Sequence, residues 1–370
     1  MERVRAGQAS PTRRGATAGV AAVSIVLALT VGLLARPAPS RLPAGHVGDA
    51  ALAALAREVV GEDRPALAVA VVTAGEVRTA AVGAGLEDRF EIGSVSKGLT
   101  GLLFEDMIES GEVSPETRVG DLVTLDGPVA EVTLAQLATH ASGLPPQPST
   151  AGQFVDNVWS SLTAGNPYDG TVAQRLADLG GTELGAPPGT YSNVAFELLG
   201  AALAGAAGTP FPRLLAERVL TPIGMSDTSV PVSPADLGPR DLRGETAGGR
   251  LADPWVGEAV GPAGGLRANV SDMAILARAL VVGAAPGIGA LSPRGVLDED
   301  RIGWAWITTV VPGSERSVVW HNGGTGGFTS FIGIDRAAGT AVVLLSAVGE
   351  PPGRATTAGF ALLERIGGAA

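Results

Sequence analysis

The chain has 370 residues, of which 45% are hydrophobic and 17% charged; this balance indicates one large packed domain or two interlocked ones and excludes a disordered chain. It contains no cysteine, which excludes disulfides and thiolate chemistry, and its three histidines are scattered, so neither a metal site nor a cofactor is predicted. The net charge of the chain is −11. Residues 1–41 carry six arginines and one glutamate, so the remainder has 20 basic and 36 acidic residues and a net charge of −16. An acidic body of this kind argues against nucleic-acid binding.

The first predicted element is an apolar segment over residues 16–35, whose 20 uncharged residues are enough to cross a bilayer. A basic tail, residues 1–15, precedes it, so we expect the tail in the cytoplasm and the rest of the chain outside. The segment is longer than the apolar region of a typical signal peptide and ends in a poor cleavage site. This favours an uncleaved single-pass anchor in the cell membrane, the alternative being secretion after signal cleavage.

Residues 36–48 hold three prolines and are predicted to be a linker, so the folded domain is expected over residues 49–367. Its first part is predicted to contain a helix, a β-hairpin and a second helix that ends at a glycine. These elements are placed at Asp49–Val60, at 66–73 and 77–82, and at 94–110.

The middle of the chain, about residues 115–285, is predicted to be helical patches separated by Gly- and Pro-rich loops. Successive antiparallel strands and a last helix follow it, at 304–311, 317–321, 328–335 and 340–348 and at 356–366. We therefore predict an α+β fold, with one antiparallel sheet built from both chain ends, flanking helices and an inserted, mostly helical subdomain. Catalytic residues are expected in the cleft between the sheet and this subdomain.

The first candidate motif is Ser94-Val95-Ser96-Lys97. Residues i and i+3 share one face of a helix, so the Ser94 hydroxyl and the Lys97 amine can meet at a helix N-terminus. A serine needs a base to become a nucleophile, and a desolvated lysine can serve. Lys97 is also the only lysine of the chain, and arginine cannot replace it because arginine keeps its proton. The alternative is a capping serine on an ordinary helix with a surface lysine.

The second candidate motif is Tyr191-Ser192-Asn193, which follows a rigid loop, Pro187 to Thr190. A phenol can pass a proton and an amide can orient a substrate carbonyl or a lysine. The alternative is a capped helix start with no role in chemistry.

The third candidate motif is the glycine-rich run from His321 to Gly327, placed between two strands. Glycines let a substrate approach the backbone, and a backbone N–H here could help to form an oxyanion hole. The run is not a phosphate-binding loop, because no Gly-Lys-Ser/Thr follows. The alternative is a flexible hairpin with an incidental histidine.

Together the motifs resemble the serine β-lactamase and penicillin-binding-protein family, in its DD-peptidase, D-aminopeptidase and esterase branch related to class C β-lactamases. The resemblance covers about residues 49–350. The stretches that carry it are Phe90–Lys97, Leu137–Pro145, Gly189–Asn193 with Leu198–Gly200, Pro222–Thr228 and Ala263–Leu266.

This resemblance implies a β-lactamase/transpeptidase-like three-layer fold and a serine hydrolase that works through an acyl-enzyme. Ser94 would be acylated, either Lys97 or Tyr191 would be the base, and Asn193 would hold the substrate. The backbone N–H groups of Ser94 and Gly324 would form the oxyanion hole. His140 would be structural.

The third motif departs from the Lys-Thr/Ser-Gly of β-lactamases, because His321, Asn322 and Gly323 stand there. A histidine of ordinary pKa is mostly neutral at pH 7 and offers a carboxylate no permanent charge, and Asn322 replaces a hydroxyl that would contact it. We therefore expect an extracytoplasmic peptidase or esterase that acts on a small molecule or a short peptide, for instance a D-amino-acid peptide of the cell wall. The alternatives are a β-lactamase, a β-lactam sensor that is acylated without turnover, and an inactive scaffold.

Overall fold

The computed structural model describes residues 37–73, 75–147, 160, 163–168, 170–186, 189–311, 313–314 and 316–367. The predicted tail (1–15) and anchor (16–35) lie outside the described residues, as do Pro187 and Pro188. Within the described part, no single helix is long and apolar enough to cross a membrane. One pair of consecutive helical segments, Asn193–Ala207 and Phe211–Ile223, is long and apolar enough when the two are taken together, but they are bent by 79° relative to each other.

An antiparallel sheet lies at the centre of the described structure. The strands are β1 (Val47–Gly48), β2 (Leu67–Val72), β3 (Val77–Val82), β4 (Phe90–Glu91), β5 (Glu245–Thr246), β6 (Arg267–Ala268), β7 (Gly295–Leu297), β8 (Asp300–Ile302), β9 (Ile307–Val310), β10 (Ser317–Gly324), β11 (Thr329–Asp335), β12 (Thr340–Ser346) and β13 (Val348–Gly349). Nine of them form the sheet in the order β1-β3-β2-β12-β11-β10-β9-β8-β7. Strands from the two chain ends meet where β2 pairs with β12, as predicted.

The period of two along each strand divides the core into two layers. On β2, Leu67, Val69 and Val71 face one cluster, whereas Ala68 and Ala70 face the other. Helices at the two ends of the chain cover the first face, and the inserted helical region covers the second. The predicted α+β class with a three-layer arrangement is therefore confirmed.

The helices are α1 (Ala50–Val60), α2 (Val95–Glu109), α3 (Leu134–Ala138), α4 (Val172–Leu179), α5 (Asn193–Ala207), α6 (Phe211–Leu215), α7 (Thr221–Ile223), α8 (Gly261–Gly264), α9 (Val270–Val282) and α10 (Pro352–Gly367). A π-helical turn, Ala216–Leu220, joins α6 to α7, and short 3₁₀ turns lie at Val119–Asp121, Pro128–Glu131, Pro234–Asp236 and Ile288–Leu291. The first helix, the hairpin and the second helix lie where the sequence predicts them.

The structure differs from the predictions at four places. Within the predicted linker, residues 47–48 pair with β3, and Ser40 Oγ donates a hydrogen bond to Glu245 Oε1 at 2.6 Å. Strands β7 and β8 are not predicted, and β9 begins only at Ile307. The last helix begins at Pro352, since a proline at the first helical position needs no N–H partner.

The fourth difference concerns the site directly. The glycine-rich run predicted as a connection is strand through Gly324, where Asn322 pairs with Phe331 and Gly324 with Thr329. Glycines usually weaken a strand, but they also mark places where another backbone comes close. The third motif is therefore part of the rigid sheet.

Candidate active site

Ser94 stands at the N-terminus of α2, directly after a backbone turn that favours glycine. Gly93 has φ +49°, and a Cβ there would lie 2.7 Å from the backbone N of Gly324. Ser94 makes no side-chain cap hydrogen bond to α2. The hydroxyl therefore lies at the positive end of a helix, next to β10, and is not used as a cap.

The Lys97 amine is buried against this hydroxyl. Its Nζ lies 3.0 Å from Ser94 Oγ, and it also donates to Asn193 Oδ1 at 2.7 Å and to the Ala263 carbonyl at 2.5 Å. The side chain has 0% exposure. Burial lowers the pKa of the amine from 10.5 to about 7, and the Glu197 carboxylate opposes this. The alternative of a surface lysine beside a capping serine is excluded.

The second motif supplies a helix cap and two polar groups at once. Ser192 Oγ accepts a hydrogen bond from Ala195 N at 3.0 Å and thereby caps α5. Tyr191, just before the cap, lies next to Ser94, whose side chain lowers the pKa of its phenol, and its ring centroid lies 5.0 Å from Lys97 Nζ. Burial raises the pKa of the Tyr191 phenol, so it keeps its proton at neutral pH.

Asn193 is held by a chain of hydrogen bonds that the sequence did not predict. Its Nδ2 donates to the Tyr168 hydroxyl at 3.0 Å, and that hydroxyl lies 2.9 Å from Gln147 Nε2. A cavity of about 340 Å³ opens beside these groups, and Trp255 packs edge-on against Tyr168 there, at 4.8 Å between ring centroids. The only available signal was that Tyr168 is the second of just two tyrosines.

The third motif lies on β10, where alternate residues face opposite sides of the sheet. His321 faces the site, 6.5 Å from Tyr191 between ring centroids, and is 1% exposed. Burial and the Lys97 amine lower the pKa of its imidazole to about 3. His321 is therefore neutral at any physiological pH.

Asn322 points the other way, which corrects its prediction as a substrate-binding side chain. Its Nδ2 donates to Thr356 Oγ1 on α10 at 2.7 Å. Gly323 lies against the loop before Ser94, because a Cβ there would overlap the Ile92 carbonyl and Ser330 Oγ. The two predicted oxyanion-hole residues, Ser94 and Gly324, are thus held side by side through the backbone.

His140 is buried in a left-handed backbone conformation with φ +58°. Its Nδ1 accepts a hydrogen bond from Ser192 N at 3.1 Å, and its ring packs 4.3 Å from that of Tyr191. Desolvation lowers the pKa of His140 well below 6.5. His140 therefore supports the second motif, whereas the hydroxyl of Ser94 contacts Lys97.

Two buried ion pairs lie behind the site, and neither is predicted by the sequence. Arg267 Nη2 contacts Glu91 Oε1 at 2.6 Å, and Arg175 Nε contacts Glu197 Oε2 at 2.5 Å. Each glutamate interrupts an apolar run beside a motif, and a buried carboxylate requires a partner. That signal predicts a partner's existence but not its distant position in the chain.

A serine at a helix N-terminus with a buried amine one turn away defines a serine hydrolase with a Ser-x-x-Lys nucleophile. Among residues 37–367 outside the gaps, no group of three or more histidine and acidic side chains is arranged to hold a metal ion. The Beta-lactamase family model matches residues 52–365, and the chain belongs to this family.

Relatives and a solved structure agree with this membership. The D-alanyl-D-alanine-carboxypeptidase/endopeptidase AmpH of Escherichia coli (strain K12) is 34% identical over 163 residues, 40% of this chain and 38% of that protein. Penicillin-binding protein 4 of Amycolatopsis lactamdurans is 30% identical over 146 residues, 37% and 34% of the two chains. A crystal structure of a class C β-lactamase from Rhodobacter sphaeroides has a TM-score of 0.69 with 21% identity, covering 86% of this chain and 98% of that one, and shows the shared fold.

Proposed function

We propose that this chain hydrolyses an amide or an ester through an acyl-enzyme on Ser94, outside the cytoplasm. The observation that carries the proposal is the 3.0 Å contact between Ser94 Oγ and a buried amine whose pKa is about 7. An amine with such a pKa is partly neutral at neutral pH and can accept a proton, as a general base must.

The hydrogen bonds around Lys97 orient that amine. Asn193 Oδ1 and the Ala263 carbonyl can only accept, so each takes one N–H of the amine. A neutral amine has only two N–H groups, and its lone pair then faces Ser94 Oγ. This arrangement favours Lys97 over Tyr191 as the base, because the raised pKa of the phenol makes Tyr191 a poor proton acceptor.

The proposed reaction has two halves. Ser94 Oγ bonds to the substrate carbonyl carbon as its proton passes to Lys97, and the N–H groups of Ser94 and Gly324 bind the oxyanion. The amine or alcohol then leaves with a proton delivered through Tyr191, which regains it from Lys97. Water enters by the reverse path and releases the acid.

The substrate class is proposed from the relatives and the site. AmpH is named for D-alanyl-D-alanine peptides, and we propose a short D-amino-acid peptide or a related ester for this chain. Export is proposed from the uncharged residues 16–35 and the arginines before them. Protease digestion of the domain on intact cells, with lysed cells as control, tests the export.

The chemistry is tested by intact-protein mass after residues 37–370 are mixed with a fluorophosphonate, a penicillin or an activated D-alanyl ester. Wild type is compared with Ser94→Ala and with Ser96→Ala, which removes the neighbouring hydroxyl that accepts from Leu266 N at 3.2 Å. We expect adducts on wild type and Ser96→Ala only, with turnover of the ester. Equal adducts on Ser94→Ala would refute the proposal. A stable penicillin adduct without ester turnover would favour a sensor, and rapid penicillin turnover a β-lactamase.

A further inference from the structure

The two expected donors of the oxyanion hole lie on separate elements of the fold. Ser94 follows β4 at the start of α2, whereas Gly324 ends β10 and is followed by the turn Thr325–Phe328. An oxyanion hole requires donors at a fixed separation, because a displaced N–H no longer meets the developing negative charge. The groups that tie the end of β4 to the turn after Gly324 therefore set the geometry of the hole.

The carboxylate of Glu91, at the end of β4, makes this connection. Its Oε1 accepts a hydrogen bond from Arg267 Nη2 at 2.6 Å and another from Trp255 N at 2.9 Å. Burial raises the pKa of this carboxyl, and the Arg267 charge and the Thr325 side chain are among the groups that oppose the shift, so Thr325 also lies next to the carboxyl. Since Thr325 directly follows Gly324, one buried side chain on the strand before the nucleophile reaches the turn after the second donor.

Arg267 extends this connection along the turn. It lies opposite Glu91 in the pairing of β4 with β6, and its guanidinium lies 5.7 Å from the ring centroid of Phe328, at the other end of the turn. The side chains of the ion pair are 1% and 2% exposed. A buried ion pair often stabilises a fold no more than apolar residues of the same volume would. Its presence between the two donors therefore favours a role in geometry over a role in stability.

We propose that Glu91 is a positioning residue whose carboxylate, together with Arg267, holds the backbone N–H groups of Ser94 and Gly324 at the separation that an oxyanion requires. This inference rests on the acyl-enzyme function proposed above and adds a residue that acts through the backbone. Because its side chain is only 2% exposed, Glu91 acts without touching the substrate. Its loss should slow the chemical step much more than it weakens substrate binding.

The experiment compares the phenyl ester of N-acetyl-D-alanine with its thionoester, in which sulfur replaces the carbonyl oxygen. Sulfur is larger and a weaker hydrogen-bond acceptor, so an intact oxyanion hole disfavours the thionoester. Release of phenol gives kcat/KM for each, measured at about pH 8.5, where a pKa of about 7 leaves Lys97 almost fully neutral, and divided by the rate of spontaneous hydrolysis. The ratio of the two values does not depend on the folded fraction, so it separates positioning from loss of structure. We expect wild type to prefer the oxygen ester about 100-fold or more.

Two double variants remove both buried charges and differ only in whether residue 91 can form hydrogen bonds. In Glu91→Met/Arg267→Met the connection is lost, so we expect the preference and kcat to fall at least about tenfold and KM to change less than about threefold. Glu91→Gln/Arg267→Met keeps a side chain that can accept and donate, and its preference should be at least about threefold higher than that of the methionine variant. The control, Arg175→Met/Glu197→Met, removes the other buried ion pair and should keep the wild-type preference.

The stability of each variant is measured by urea unfolding. If Glu91→Met/Arg267→Met does not fold, Glu91→Asp decides, because a shorter carboxylate leaves Arg267 with a charged partner but no longer reaches the turn. We then expect its preference to fall at least about threefold. A preference that stays at the wild-type value in the variant that decides would overturn the inference, even if that variant were slower or less stable.

Two other results would also overturn it. One is a wild type that does not prefer the oxygen ester, and the other is an equal loss of preference in Arg175→Met/Glu197→Met. Fluorophosphonate labelling of Ser94 separates these failures from that of the proposed function. An adduct on Ser94 together with any of these results refutes only the role of Glu91. Absence of both an adduct and ester turnover refutes the acyl-enzyme and, with it, the inference that depends on it.

Discussion

The buried amine of Lys97 predicts a particular pH dependence for the acylation of Ser94. A shift of the pKa from 10.5 to about 7 corresponds to about 5 kcal/mol against the charged form. At pH 7 about half of the amines are then neutral, compared with about one in three thousand for an ordinary lysine. Below pH 7 the neutral fraction falls about tenfold per pH unit, and above pH 8 it is nearly complete.

The assay is the rate of fluorophosphonate adduct formation on Ser94 between pH 5.5 and 10, corrected for decay of the probe. We expect the rate to rise with pH, with a midpoint near 7, and to be flat above 8. Lys97→Arg keeps the charge at every pH and should be slower by at least about 100-fold at pH 8. The matched control is Ser96→Ala, which should keep the wild-type profile.

Two outcomes would refute this reasoning. A midpoint above 9 would mean that the amine keeps its ordinary pKa and that burial is offset by charges not accounted for. A profile that is equally fast in Lys97→Arg would mean that Lys97 is not the base and would return that role to Tyr191. The second outcome leaves the nucleophile untouched, since Ser94→Ala tests it separately.

Two further predictions concern groups behind the site. Glu197→Gln removes a carboxylate that raises the pKa of Lys97, so the midpoint of the acylation profile should move to lower pH and the rate at pH 6 should rise about threefold to tenfold. The control, Glu299→Gln at an exposed position, should leave the midpoint and the rate unchanged. A shift of the midpoint to higher pH would contradict this prediction. Gly323→Ala places a Cβ on the Ile92 carbonyl, so the free energy of unfolding in urea should fall by about 1–3 kcal/mol and acylation should be slower. The control, Gly353→Ala, has open space around the new Cβ and should match wild type in stability and in acylation rate. Equal stability of the two variants would refute the close approach of Gly323 to the Ile92 backbone.

Local periodicity was sufficient to predict the elements that carry the nucleophile. The hairpin of β2 and β3 follows from two runs rich in β-forming residues on either side of a short turn with a glycine, and α2 follows from a helical run that ends at a glycine. The i and i+3 relation within α2 also placed Ser94 and Lys97 on one face. These contacts are short-range, so the sequence alone contains their geometry.

Contacts between residues far apart in the chain do not follow from local sequence patterns. A glycine-rich run is typical of a loop, and only the close approach of the Ile92 backbone explains why Gly323 and Gly324 are strand residues. The strand period then turns Asn322 away from His321, an orientation that a connection between strands would not require. The partners of Glu91 and Glu197 lie far along the chain, so no local pattern predicts them.

The arrangement of charge around the site links these observations. The groups nearest Ser94 are held neutral at physiological pH by burial: Lys97 in part, and His321 and Tyr191 fully. Full charges lie one layer further out, in the pairs that Glu91 and Glu197 form with arginines. When a proton passes from Ser94 to the neutral Lys97 amine, the ammonium that forms is stabilised by the nearby Glu197 carboxylate, so the new buried charge is not isolated. The same burial that lowers the pKa of Lys97 raises that of Tyr191, so the base and the group that donates a proton to the leaving group are set by one physical cause.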